Sequence, residues 1–112
     1  MLSDQDRDAL ADIRDNIERA MRFVAGLDFD GFLADDKTFF ATTRCLEIIA
    51  EASRRLSPAF KEGFPEISWK QVAGAGNVYR HDYENVQELR VWKTIHERLS
   101  ALRAVVESEL AT

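Results

Sequence analysis

Apolar residues recur at three- and four-residue steps along most of this chain, the spacing that lines one face of an α-helix. Leu10, Ile13, Ile17, Met21 and Val24 form the first stripe, opened by Ser3 as N-cap with Asp6 in the first turn and ending near Gly26. Residues 27–33 are too short and broken for a full element and read as a connector whose Phe29, Phe32 and Leu33 plug one end of a bundle. A second long helix is expected over 35–56, with Phe39, Leu46, Ile49, Ser53 and Leu56 on its buried arc. Ser57 followed by Pro58 opens a short helix that Gly63 stops. Ser68, with Gln71 three residues on, opens another, which Ala73-Gly74-Ala75-Gly76-Asn77 interrupts. The last helix is expected from Asn85, with Glu88 as capping-box partner, to about Leu110, burying Leu89, Trp92, Ile95, Leu99, Leu102 and Val106. No trustworthy strand alternation and no internal repeat accompany these stripes. The pattern predicts an all-α fold, an antiparallel four-helix bundle with short extra helices: three long helices and an interrupted fourth.

Composition narrows this to a single domain spanning 1–112. With 46% hydrophobic and 31% charged residues, it has the balance of a folded, soluble chain and not of a disordered tail. A net charge of -5 gives a whole-molecule field that repels nucleic acid, so an RNA contact needs a local basic patch and no DNA specificity is expected. Cys45 is the single cysteine; it has no disulfide partner, and no paired Cys/His spacing suggests zinc, which fits a cytoplasmic location. The amino terminus lacks the basic flank and apolar run of a signal peptide, and no stretch approaches the roughly 18 apolar residues of a membrane span.

Candidate chemistry concentrates in Asn77-Val78-Tyr79-Arg80-His81-Asp82-Tyr83-Glu84, which gathers a cation, an imidazole, two phenols, an amide and two carboxylates. His81 suits proton transfer, Arg80 suits phosphoryl charge and Asn77 suits orientation of a phosphate, a set fitted to phosphodiester cleavage without metal. The same residue types also serve as caps in a polar turn between helices. On the second helix Arg44, Glu47, Glu51 and Arg55 make a polar stripe, either a solvated face tied by ion pairs or the wall of a groove or dimer contact. His96 reads as a satisfied, half-buried helix-edge residue, and Cys45, Trp69 and Trp92 as core. Asp28, Asp30, Asp35 and Asp36 lack a fixed cation-loop signature and read as helix caps. No phosphate loop, dinucleotide fingerprint or metal helix is present, so neither a cofactor nor a resident metal is expected.

Two longer patterns resemble the HepT-like toxin branch of the HEPN superfamily. They are Arg44-Cys45-Leu46-Glu47-Ile48-Ile49-Ala50-Glu51-Ala52 with Arg55-Leu56-Ser57, and Pro65-Glu66-Ile67-Ser68-Trp69 followed by His81-Asp82-Tyr83, the family's His-x-Tyr signature. The resemblance spans about 36–110. It implies a helical homodimer whose motif loops share a cleft, and RNA cleavage without metal by an arginine and a histidine separated by four to six intervening residues. It also implies a nucleotidyltransferase antitoxin as partner, which neutralises the toxin by transferring AMP to the motif tyrosine. Carried over, His81 is the acid/base residue and Tyr83 the acceptor hydroxyl.

The chain departs from that pattern at Gly76, where the family's arginine would fall. Three outcomes stay open: Arg80 supplies the charge, Arg44 reaches in from the second helix, or cleavage is lost and the protein is a noncatalytic dimer that binds a nucleotidyltransferase or a nucleotide. Were 76–81 helical, Gly76, Arg80 and Tyr83 would share a face. A purely structural bundle with a polar helix junction is the remaining reading.

Overall fold

The computed structural model describes residues 2–78 and 85–112. Among these the chain is all-helical, as the periodicity predicts, and long helices pack lengthwise over one hydrophobic core. Helix α1 (Asp4–Val24) begins at Ser3, whose Oγ accepts from the Asp6 amide at 3.0 Å, and ends before Gly26 in the left-handed region. Leu10, Ile13 and Ile17 are completely buried against α3 (Asp36–Arg55), which presents Phe39, Leu46, Ile49 and Ser53. The third long rod is continuous but composite: α6 (Val86–Lys93), a π-helical turn (Thr94–Arg98) and α7 (Leu99–Leu110).

Short elements tie these rods together. The expected connector contains a one-turn helix, α2 (Phe29–Leu33), because Asp28 accepts from Gly31 N at 2.8 Å and nucleates it. Phe32 does plug the core: its ring lies 5.3 Å from Trp92 and 6.1 Å from Phe39. Helix α4 (Pro58–Glu62) starts at Ser57 as expected. A residue from α1 completes that start, since the buried Asp6 carboxylate accepts from Ser57 N at 2.8 Å and Ser57 Oγ at 2.7 Å. Asp6 is therefore a cross-link between α1 and the α3–α4 junction as well as a first-turn acid.

Four sequence expectations are corrected. Asn85 adopts φ 54° and makes no side-chain cap, so the capping box with Glu88 does not form; the chain enters α6 through a left-handed residue, which asparagine tolerates. Leu89 is 40% exposed, while Val91 is fully buried. The buried arc runs through Glu88, Val91, Ile95 and Leu99, and Leu89 stands about 100° from Glu88 around the rod, while a π-helical turn at 94–98 interrupts the α repeat. His96 is exposed, although it is satisfied: Nδ1 lies 2.8 Å from the Trp92 carbonyl and the two rings stack at 3.9 Å. Arg55 leaves the polar stripe of α3 and pairs with Asp12 of α1 at 2.6 Å.

The acidic residues act as caps where the structure gives them hydrogen bonds. Asp35 opens α3 by accepting from Thr38 Oγ1 at 2.7 Å and from Thr38 N at 3.2 Å, and these bonds hold its carboxyl below the usual aspartate range. A folded pKa below the unfolded value means that its contribution is present above the unfolded pKa and lost as pH falls through the folded one. Asp35→Asn, which keeps a capping oxygen without the titration, is expected to flatten the acid limb of thermal midpoint against pH. An unchanged acid limb would remove Asp35 as its source. Cys45 is buried beside α1, and desolvation pushes its thiol pKa up, as suits a packing residue and not a nucleophile.

Candidate functional site

Helix α5 (Trp69–Gly74) delivers the chain to the polar cluster. Ser68 caps it, its Oγ accepting from Gln71 N at 3.4 Å, and Trp69 Nε1 donates to the carbonyls of Lys61 and Phe64 at 3.2 Å each. The helix ends after six residues at Gly74, with Ala75 and Gly76 beyond it, and its terminal carbonyls are left without intrahelical donors. Two arginines from other elements supply them. Arg54 of α3 donates to the Ala73 carbonyl at 2.6 Å. Arg90 of α6 donates through Nη2 to the Gly74 carbonyl at 3.0 Å and through Nη1 to the Asn77 carbonyl at 2.6 Å. Positive charge at a helix C-terminus is favourable in itself, and the planar guanidinium can bridge carbonyls that a point charge cannot.

Gly76 is fixed by close approach. A Cβ built there would stand 2.7 Å from the Cα of Glu47 and 3.3 Å from the Ala50 Cβ, so the turn rests directly on the backbone of α3. Asn77 follows it at the surface, outside any helix, and its amide donates to Gly74 O at 3.1 Å. Since 77 and 78 are not helical, the expectation that Gly76, Arg80 and Tyr83 share a helical face has no continuous helix to rest on. Arg80, His81 and Tyr83 lie outside the described residues. Arg44, Glu47 and Glu51 are all exposed on α3, and Glu47 contributes its backbone to the seat of Gly76. The structure thus joins Asn77 and Glu47 to one junction.

A groove of about 670 Å³ opens between α5 and the composite helix, a size within the usual range of ligand sites. Val72, Val86 and Leu89 give it an apolar floor, and Arg90, Lys93 and Arg98 set cations along one side. Arg98 spans it, donating to Gln71 Oε1 at 3.3 Å. Among the described residues, no group of three or more histidines, cysteines or carboxylates could hold a metal ion. Also among them, no helix is long and apolar enough to cross a membrane.

Sequence reasoning missed Arg54 and Arg90. Their acceptors are main-chain carbonyls 19 and 13 to 16 residues away, and a carbonyl leaves no trace in residue type. The one available signal was a pair of glycines ending a short helix, which announces carbonyls in need of donors.

Comparison with known proteins completes this description. The family model described as "Ribonuclease HepT-like" matches residues 13–109. A protein of Thermococcus cleftensis named "Probable ribonuclease HepT" is 39% identical over 90% of this chain and 92% of its own length. The Methanocaldococcus jannaschii protein named "Putative RNase MJ1380" is 32% identical over 88% of this chain and 90% of its own. No solved structure matches. With the match running from within α1 to the last turn of α7 and taking in the whole junction of α3, α5 and α6, the chain belongs to the HepT-like ribonuclease family.

Proposed function

We propose that this protein is the toxin of a HepT-type toxin and antitoxin pair, an endoribonuclease that works without metal. The observation that carries the reading is family membership along nearly the whole chain, with relatives named as ribonucleases. In this reading the ribose 2′-hydroxyl attacks the adjacent phosphorus, the P–O5′ bond breaks, and the products are a 2′,3′-cyclic phosphate and a free 5′-hydroxyl. His81 removes the 2′ proton or returns one to the leaving oxygen, Arg80 balances charge on the phosphoryl oxygens, and Asn77 orients the phosphate. Two copies form the working unit, with the α3 face of Arg44, Glu47 and Glu51 at the groove or dimer contact. A cytoplasmic nucleotidyltransferase silences it: the Tyr83 phenol attacks the α-phosphorus of ATP, and pyrophosphate leaves.

The test is cleavage of single-stranded RNA by purified protein with chelator present. His81→Ala is expected to lower the rate by roughly 10²- to 10⁴-fold, the usual worth of a general acid or base. Arg80→Ala is expected to lower it by about a hundredfold or more. Undiminished cleavage in both variants sinks the assignment. A second reading, a noncatalytic dimer that binds a nucleotidyltransferase or a nucleotide, is favoured by Gly76 seated on α3 where the family's arginine would stand. It predicts no cleavage by the wild type together with a stable complex. A mass gain of one AMP after incubation with the nucleotidyltransferase and ATP, absent in Tyr83→Phe, locates the acceptor under either reading.

A further inference from the structure

Arg90 touches three groups at once: the carbonyls of Gly74 and Asn77, and the Gln87 side-chain oxygen on its own helix at 3.4 Å. In chain order these partners lie on either side of 79–84, the segment holding Arg80, His81 and Tyr83. From this we infer that Arg90 is a positioning residue for the ribonuclease site, an inference that rests on the function proposed above. One guanidinium fastens the point where the chain leaves α5 to the helix on which it re-enters, so both ends of the segment are set against each other. In the function proposed above, a fixed frame on both sides of the reacting groups lowers the entropic cost of presenting them to substrate.

Three features separate this role from plain stabilisation. Arg90 is exposed, and exposed polar ties contribute little to global stability. Two of its acceptors are main-chain carbonyls, one at the end of α5 and the other on a candidate site residue, Asn77. The bridge also needs a planar fork: a lysine ammonium retains the charge but cannot hold carbonyls three residues apart in the same geometry. Arg103 provides an internal control. On α7 it donates to Glu107 Oε1 at 2.8 Å and reaches Met21 Sδ at 3.2 Å, outside the groove lining and outside the stretch between 77 and 90.

The experiment measures kcat and KM on a single-stranded RNA oligonucleotide for the wild type, Arg90→Ala, Arg90→Lys, Arg103→Ala and His81→Ala. Deuterium uptake and thermal midpoint are followed for each protein. Both Arg90 variants are expected to lose about a hundredfold in kcat, the cost of a small misplacement of reacting groups. KM should stay within about twofold of wild type, since the placement of reacting groups is lost and uniform binding of substrate is not. Uptake at 73–78 should rise while α1 and α3 stay protected, the pH profile should keep its shape, and Arg103→Ala should cleave normally. Wild-type kcat in Arg90→Lys, or a loss in Arg90→Ala that follows a collapse of the thermal midpoint, overturns the inference. If the wild type itself fails to cleave, or His81→Ala cleaves normally, the proposed function falls instead. The uptake measurement still judges the tie in that case, and unchanged exchange at 73–78 in Arg90→Ala rejects it.

Discussion

Gly76→Arg is expected to weaken the fold and lower RNA cleavage. The obstacle is main chain. A Cβ at 76 would lie 2.7 Å from the Glu47 Cα, in the middle of α3, a helix that packs along α1 on its other side and has nowhere to retreat. Overpacking against a flexible side chain is relieved by a rotamer change, but overpacking against a helix backbone displaces the whole turn. A cost of about 3 kcal/mol, the upper part of the usual range, follows. In a domain of this size that corresponds to a fall of roughly 10 °C or more in thermal midpoint. Gly76→Ala isolates the contribution of Cβ and should already lower the midpoint. Calorimetry of both variants with a cleavage assay checks this; faster cleavage at an unchanged midpoint would show that the turn does not rest on α3.

Phe32→Ala is expected to cost about 3–5 kcal/mol, a large share of the stability of a domain this small. The ring is completely buried and stands between Phe39 of α3 and Trp92 of α6, so its removal opens a cavity where two long rods and the α2 turn meet. Phe29, 5.9 Å from Trp92 and only half-buried, is already engaged on the outer side of that cluster and has little freedom to fill the space. Denaturant titration gives the size of the effect. A loss below about 1 kcal/mol would mean that the neighbouring rings collapse into the gap, and the bundle end would then be less rigid than its packing indicates.

Much of this architecture was legible because it is local. Ser3, Ser57 and Ser68 bond to amides three residues ahead, and Leu10, Ile13 and Ile17 mark a face by spacing alone. Where the reading went astray, the cause lies in geometry that spacing does not encode. The last rod's buried arc runs through Glu88 and Val91 and leaves Leu89 outside, and a left-handed Asn85 removed the capping box with Glu88. Asp6 looked like an ordinary first-turn acid because its second role depends on Ser57, 51 residues away. The site divides in the same way. The residue types of the proposed site stand out in the sequence, whereas Arg54 and Arg90 meet carbonyls, and only coordinates show which carbonyls those are.

The π turn at 94–98 lets one rod run in two phases, like a screw whose thread is cut afresh halfway along. Below the offset the pitch serves Leu99, Leu102 and Val106 and the interior; above it the same rod aims Arg90 at the end of α5. Removing a single residue there would re-time the upper half by about a quarter turn or slightly more, swinging Arg90 off its acceptors while the lower half stays meshed. Such a deletion would let chain length, and not side-chain identity, tune the entrance to the site.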